Sequence, residues 1–198
     1  SKEAMALFVV LCLLAFALVL STNALTVYLS FGAVTLAAIY PFMKRYTHWP
    51  QAFLGAAFGW SVPMAFAAQS GAVPPAAWLI FAANICWVIA YDTMYAMVDR
   101  DDDLKVGVKS TAVLFASWDR HIIGLFQISF LALMIAAGIA FGLAPLYYAG
   151  LAVAAAFAVY HQRLILRREK NLCFKAFLNN NLLGAAVFIG LLLSYLRF

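Results

Sequence analysis

The sequence predicts an all-α integral membrane protein, a bundle of about seven transmembrane helices that forms a single domain over residues 1–198. Hydrophobic residues make up 67% of the chain, charged residues only 11%, and the mean hydropathy is +0.94. Apolar runs of about twenty residues recur along the whole chain, which is the length that a helix needs to cross a bilayer. These runs do not alternate with polar residues, so helices are favoured over a membrane-spanning barrel.

Seven predicted spans are joined by three uncharged turns and three charged connections. The turns STNA, QSGAVPP and FGLAP carry no charge, and their Pro, Gly and polar residues mark helix ends. The charged connections are KRYTHWPQ (44–51), DRDDDLKVGVKSTAVLFASWDRH (99–121) and HQRLILRREKNLCFK (161–175). The predicted spans are 5–20, 24–41, 52–69, 76–98, 121–140, 144–161 and 180–197.

The basic residues predict the orientation of the chain. If all seven spans cross, twelve of the thirteen Lys and Arg lie on one side, and only Arg197 lies on the other. The positive-inside rule makes the basic side cytoplasmic, and we expect a bacterial inner membrane. This placement accounts for the net charge of +5. Arg163, Arg167, Arg168 and Lys170 are expected to set the topology and to contact anionic lipid. No basic segment with interleaved aromatics indicates nucleic-acid binding.

Five of the eight acids lie within residues 91–103. Asp92, Tyr95, Asp99 and Asp103 recur every three or four residues and share one stripe of a helix. If the fourth span continues as a helix past the membrane surface, the carboxylates of Asp99 and Asp103 are i,i+4 neighbours. Like charges at that spacing destabilise a helix, and a carboxylate within a span costs about 2–3 kcal/mol. A hard divalent cation, Mg²⁺ or Ca²⁺, would offset this cost.

Other interpretations of these acids stay open. Asp101 and Asp102 also fit a solvated acidic loop, neutralised by Arg100, Lys105 and Lys109. Asp92 is the deepest of the acids, and it also fits a carboxylate that is paired with a Lys or Arg of another helix.

Cationic side chains lie at the cytoplasmic end of the second span, in YPFMKRYTH (40–48), where Tyr40 precedes Lys44 and Arg45. Arg binds an oxyanion through a bidentate fork and Lys binds it as a point charge. The same bases also fit residues that only set the topology. Together with a metal-bound carboxylate pair in a lipid-embedded bundle, they suggest a diphosphate on a lipid tail, without distinguishing transfer from hydrolysis or transport.

The segment YDTMYAMVDRDDDLKVGVKST (91–111) resembles the second aspartate-rich motif of the UbiA family of intramembrane prenyltransferases. Asp99, Asp103 and Gly107 match the spacing of that motif. The fuller pattern, together with YPFMKRYTHWPQAFLGAAFGWSVPMAFAA and CFKAFLNNN, is similar to the branch of the family that acts on 4-hydroxybenzoate in ubiquinone biosynthesis. The resemblance runs from end to end of the chain.

The resemblance implies a nine-helix fold around a cavity open to lipid, where two aspartate-rich motifs bind Mg²⁺ and a prenyl diphosphate. The acceptor ring then attacks the allylic cation, which the apolar cavity protects from water. Asp99 and Asp103 would be the metal ligands and catalytic residues, and Lys44 and Arg45 would lie by the diphosphate or the acceptor carboxylate. The implied substrate-binding residues are Tyr40, Tyr91, Asp92, Tyr95, Asp102 and Lys109.

The first aspartate-rich motif of the family has no counterpart here, because residues 1–90 contain no acid beyond Glu3. We therefore expect a chain that is truncated at its N-terminus relative to the nine-helix fold and that lacks half of the metal site. Residues 1–198 alone are expected to bind diphosphate poorly and not to turn over.

The expected function is Mg²⁺-dependent transfer of a polyprenyl group from polyprenyl diphosphate to the ring of 4-hydroxybenzoate. The alternatives are a related enzyme with another acceptor (a naphthoate, haem, a tocopherol precursor or a glycerol lipid), a non-catalytic binding protein, and a transporter or channel. The acids lie at one face and no internal repeat is present, which disfavours the transporter. The oligomeric state stays open, because Gly55, Ala56, Ala57 and Gly59 can pack helices within one chain or between two.

Overall fold

The computed structural model describes residues 2–196, which form helices and no strand. Short 3₁₀ turns join some of the α-helices, at Tyr40–Phe42, Ala116–Trp118 and Ile165–Arg167. In chain order the α-helices are α1 (Lys2–Leu20), α2 (Ala24–Ile39), α3 (Met43–Tyr46), α4 (Pro50–Gly59), α5 (Ser61–Ser70), α6 (Pro75–Val106), α7 (Thr111–Phe115), α8 (Asp119–Ala140), α9 (Pro145–Leu164) and α10 (Lys170–Tyr195).

Six helical segments within residues 2–196 are long and apolar enough to cross a membrane, so the predicted all-α membrane bundle is confirmed. They are Lys2–Leu20, Ala24–Tyr46, Pro75–Val106, Thr111–Ala140, Pro145–Arg167 and Lys170–Tyr195. The predicted span 52–69 is not a single helix, because α4 ends at Gly59 and α5 begins at Ser61.

Pro63 explains the break between α4 and α5. Its ring nitrogen carries no hydrogen, so the Gly59 carbonyl lacks its usual i+4 donor and the helix kinks there. The two halves still follow α2 in an antiparallel sense. Asn23 Nδ2 donates to the Ala67 carbonyl at 2.6 Å, and Trp60 Nε1 donates to the Leu29 carbonyl at 2.8 Å. The predicted span 52–69 is therefore a broken helix that runs beside α2.

Two other predicted boundaries are wrong. α6 does not end at residue 98 but runs to Val106, where Gly107 closes it in the left-handed conformation with φ +73°. α10 begins at Lys170, ten residues before the predicted start at 180, and its Asn179 and Asn180 are both hydrogen-bonded inside the bundle. Arg197, the base predicted on the opposite side, lies outside the described residues.

α6 is the central helix, and it packs against α4, α8 and α10, while α9 packs chiefly against α10. Two clusters of buried apolar side chains lie along it, one around Met94 and Ile123 and the other around Phe130 and Leu183. In contrast, α1 buries none of its residues in the described structure. The core therefore fixes α6, and α6 carries the acidic residues.

Glycines allow the closest helix contacts. A Cβ on Gly150 of α9 would lie 2.7 Å from both the Ala186 carbonyl oxygen and the Gly190 Cα of α10. Likewise, a Cβ on Gly55 would lie 2.9 Å from Ile85 Cα of α6. The small residues at Gly55 and Gly150 thus serve packing within one chain, by the close approach common in membrane helices.

We predict that Gly150→Ala destabilises the protein by about 1–3 kcal/mol, because the added methyl meets backbone atoms that have no rotamer to change. The measurement is the thermal unfolding midpoint in detergent. Gly124→Ala is the matched control, because a Cβ there meets only the flexible Gln162 side chain at 3.5 Å. Equal midpoints for the two variants would contradict the prediction.

Candidate active site

The acidic stretch lies on the last turns of α6, which stays helical through all of it. The N–H of Val108 donates to the Asp103 carbonyl at 3.0 Å, so the end of the helix is well bonded. Asp99 and Asp103 are half-buried, and they lie one turn apart on the same face. The two carboxylates interact electrostatically, and the Ser110 hydroxyl lies close to Asp103.

A short segment after α2 brings a lysine to these carboxylates. Lys44 interacts electrostatically with both Asp92 and Asp103. Its backbone carbonyl accepts from the N–H of Lys109 at 3.1 Å, and Lys109 Nζ donates to the Tyr46 carbonyl at 3.2 Å. These bonds join α3 to the loop that follows α6, so the two predicted halves of the site meet at one end of the bundle.

Deeper in the bundle, three of the predicted residues lie together. Asp92 is half-buried beside the Gln51 side chain, and Tyr91 interacts electrostatically with both Asp92 and Tyr40. Gln51 is buried and its Oε1 accepts from the N–H of Thr111 at 3.3 Å. Gln51 was missed in the sequence because it is a lone amide without a pattern.

The structure does not bring every predicted residue to the carboxylate pair. Arg45 is exposed on α3 and forms no ion pair among residues 2–196. Asp102 is exposed and pairs with Lys105 at 2.9 Å. Tyr95 turns towards α10, where its ring centroid lies 5.0 Å from that of Phe177.

An aromatic row leads from the carboxylates into the bundle. Trp87 and Tyr91 on α6 have ring centroids 5.6 Å apart, and Tyr91 lies 5.9 Å from Phe177 on α10. These rings line a cavity of about 370 Å³ between α4, α6 and α10. A second cavity of about 350 Å³ shares Asn84 and Trp87 with it and is lined mostly by apolar side chains. The site thus has a charged end and a long apolar interior.

A buried carboxylate outside the predicted site is bound by two arginines. Asp119, the first residue of α8, is fully buried and accepts from Arg100 Nη2 at 2.5 Å and from Arg168 Nη2 at 2.9 Å. Arg100 therefore pairs with Asp119 and not with Asp101 or Asp102, and Arg168 has a carboxylate partner within the bundle in addition to any lipid contact. The hydrogen bonds to Asp119 raise the pKa of Arg168 above its ordinary value.

Among residues 2–196 no group of three or more His, Cys, Asp and Glu side chains could hold a metal by itself. The donors at the end of α6 are the two carboxylates of Asp99 and Asp103, neither of which forms an ion pair in the described structure. Such a pair fits Mg²⁺, which usually takes one or two protein carboxylates and leaves its other positions to water and substrate phosphates.

Comparison with known proteins identifies the family. The profile of the UbiA prenyltransferase family matches residues 1–191. The chain belongs to that family.

Curated relatives of this UbiA chain are similar over nearly its whole length. The 4-hydroxybenzoate octaprenyltransferase of Methylococcus capsulatus is 61% identical over 99% of this chain and 67% of its own length. The protein of the same name from Alkalilimnicola ehrlichii is 63% identical over 98% of this chain and 66% of its own length. The chain thus spans about two thirds of the length of these relatives.

The fold also matches a solved UbiA protein. The apo structure of a UbiA homolog from Aeropyrum pernix K1 superposes with a TM-score of 0.79 at 25% identity, and it covers 95% of this chain and 72% of that one. The resemblance expected from the aspartate-rich motif is therefore confirmed at the level of family and fold.

A buried hydroxyl pair beside the site yields a stability prediction. The Thr93 hydroxyl donates to the Ile89 carbonyl at 2.5 Å, so the 2.6 Å contact between Thr93 and Thr111 has Thr111 as its donor. Thr93→Val leaves the Thr111 hydroxyl without an acceptor, and we expect a loss of about 1–3 kcal/mol. Thr111→Val leaves Thr93 bonded to Ile89 and should cost less.

A double-mutant cycle in the free energy of unfolding would measure the coupling between the two threonines. Thr35→Val, at an exposed hydroxyl that bonds only within its own helix, is the control and should change little. Equal losses for Thr93→Val and Thr111→Val with no coupling would refute the assignment of the donor.

Proposed function

We propose that the protein transfers a polyprenyl group from a polyprenyl diphosphate to the aromatic ring of 4-hydroxybenzoate, a step of ubiquinone biosynthesis that depends on Mg²⁺. The observation that carries the proposal is an identity of 61% and 63% to two 4-hydroxybenzoate octaprenyltransferases over almost the entire chain. The arrangement at the end of α6 supports it, because paired carboxylates and a lysine suit a metal-bound diphosphate.

In this proposal Asp99 and Asp103 hold the ion and Lys44 faces the diphosphate. The ion, when bound, stabilises the negative charge that develops on the departing diphosphate. Lys44 adds a positive charge to the same region, since it already interacts with Asp103. In a site shielded from water such interactions are stronger than in solvent.

The remaining side chains serve the organic part of the substrates. The aromatic row that contains Trp87 and Tyr91 lines the path of the prenyl chain, and its ring faces stabilise the allylic cation. Tyr40, Tyr91 and Asp92 line the acceptor side, and the guanidinium of Arg45 suits the acceptor carboxylate.

Three predicted substrate-binding residues lie at the edge of this arrangement. Tyr95 extends the aromatic row towards α10, while Asp102 and Lys109 lie at the membrane surface, where their charges influence the entry of the diphosphate. We place this end of the bundle at the cytoplasmic face of a bacterial inner membrane, because the basic connections cluster there.

A transfer assay on the full-length gene product tests the proposal. Membranes that contain it should prenylate 4-hydroxybenzoate in preference to a naphthoate or a glycerol lipid. Chelation with EDTA should abolish transfer, and added Mg²⁺ should restore it. Preference for a naphthoate, or transfer that survives chelation, would count against the proposal.

We expect Asp103→Asn to lower kcat/KM for transfer by about 10²–10³-fold, the loss that is typical when one electrostatic group is removed from an active site. The amide keeps the shape of the side chain but removes the charge that would hold the ion. Glu169→Gln is the control, because this exposed acid lies outside the site. The activity of the Glu169→Gln variant should match that of the wild type. A normal rate for Asp103→Asn would remove Asp103 from the metal site.

A further inference from the structure

The end of α6 is an unfavourable place for its own acids. Asp99, Asp101, Asp102 and Asp103 all lie within the last eight residues of the helix. A helix C-terminus carries a partial negative charge, which disfavours a carboxylate in the last turn, such as that of Asp103. In addition, Asp99 and Asp103 repel one another at i,i+4 spacing. Nevertheless, the helix persists to Val106.

A buried ionic cluster of Asp119, Arg100 and Arg168 contacts the same turns of α6 from another face of the helix. Arg100 lies next to Asp99 in the chain, but its side chain is rotated by about 100° around the helix axis. Arg100 reaches Asp119, whose carboxylate also accepts from Arg168 Nε at 3.1 and 3.0 Å and from the backbone N–H of Arg120 at 2.6 Å. One buried carboxylate therefore joins α6, the start of α8 and the turn before α10.

Two further contacts strengthen this connection. Arg168 Nη2 donates to the Ser117 carbonyl at 2.7 Å, and Lys170 pairs with Asp101 at 3.1 Å. The Lys170–Asp101 ion pair is exposed, so it contributes little to stability by itself. In contrast, Asp119 is fully buried, and the loss of one partner would leave charge uncompensated in the interior.

We infer that Asp119, together with Arg100 and Arg168, is a positioning device that holds the end of α6 helical, so that Asp99 and Asp103 stay one turn apart. The cluster does this without placing a base between the two carboxylates, where it would compete with a cation. Asp119 does not touch substrate in this inference. Its effect on activity rests on the proposed function, but its effect on the helix does not.

Hydrogen exchange of the backbone amides tests the positioning role directly, without substrate or metal. In the full-length protein in detergent, Asp119→Asn and Arg168→Gln should speed exchange at residues 100–108 by about tenfold or more, because the local opening free energy falls. Exchange within the middle of α8 and α9 should not change. Arg167→Gln removes a neighbouring exposed charge for which the structure shows no ion pair, and it is the matched control.

The second readout is the dependence of transfer on Mg²⁺. Arg168→Gln should raise the Mg²⁺ concentration for half-maximal rate by about tenfold and leave kcat at saturating Mg²⁺ close to the wild type. Arg168→Lys should restore part of the affinity, because it returns the charge. A changed Mg²⁺ requirement with an unchanged kcat distinguishes positioning from a general loss of folded protein. Such a loss would lower the rate at every Mg²⁺ concentration, including saturation.

The outcomes separate the two claims. Unchanged exchange at residues 100–108, or an increase spread evenly over the bundle, would overturn the positioning role even if the enzyme is active. Faster local exchange in a protein without any transfer activity would support the positioning role while the proposed function fails. If Asp119→Asn does not fold, Arg168→Gln decides, because it leaves Asp119 paired with Arg100.

Discussion

Repulsion among the carboxylates at the end of α6 is the constraint on which the rest of the site depends. In the proposed function the acids must stay helical and close together to bind a cation, yet the helix dipole and their own charges oppose this arrangement. A base bonded directly to Asp99 or Asp103 would relieve the repulsion but would occupy the cation site. The contact that stabilises the helix end lies on another face, where Asp119 binds Arg100, while Lys44 interacts with Asp103 only electrostatically.

The loop after α6 and the segment around Lys44 are held in place by hydrogen bonds at the same end of the bundle. In the loop after α6, Lys109 donates hydrogen bonds to the backbone carbonyls of Lys44 and Tyr46. The N–H of Thr111 donates to the Gln51 side chain. These contacts link segments about sixty residues apart in the chain. As a result, the cationic segment and the acidic helix end are held together before any substrate arrives, which lowers the entropy cost of binding a charged head group.

Much of the fold could be predicted from the sequence, because in lipid a long apolar run has few alternatives to a helix. The predicted helix boundaries are wrong where the local composition favours one structure and the tertiary contacts or a proline favour another. Pro63 breaks the third predicted span although its apolar content is high enough to cross the membrane. Conversely, the charged connection 161–175 is predicted to lie outside the spans, but α10 already begins at Lys170. Farther along this helix, Asn179 bonds His161 at 3.0 Å and Asn180 accepts from Trp87 at 3.1 Å. Polar groups satisfied inside a bundle leave no trace in hydropathy.

The candidate site shows why some carboxylates could be predicted and another could not. Asp99 and Asp103 form a spacing pattern within one helix, whereas Asp119 depends on Arg100 and Arg168, which lie 19 and 49 residues away. The structure also separates Asp119 from Asp99 and Asp103 by the number of hydrogen-bond and ion-pair partners that each carboxylate has. Asp119 has two guanidinium partners and a backbone N–H, so nothing remains for it to bind. Asp99 and Asp103 form no ion pair among residues 2–196. Because an ionisable group in a membrane protein is costly unless it is compensated, carboxylates without an ion pair are the ones that the proposed function assigns to a bound cation.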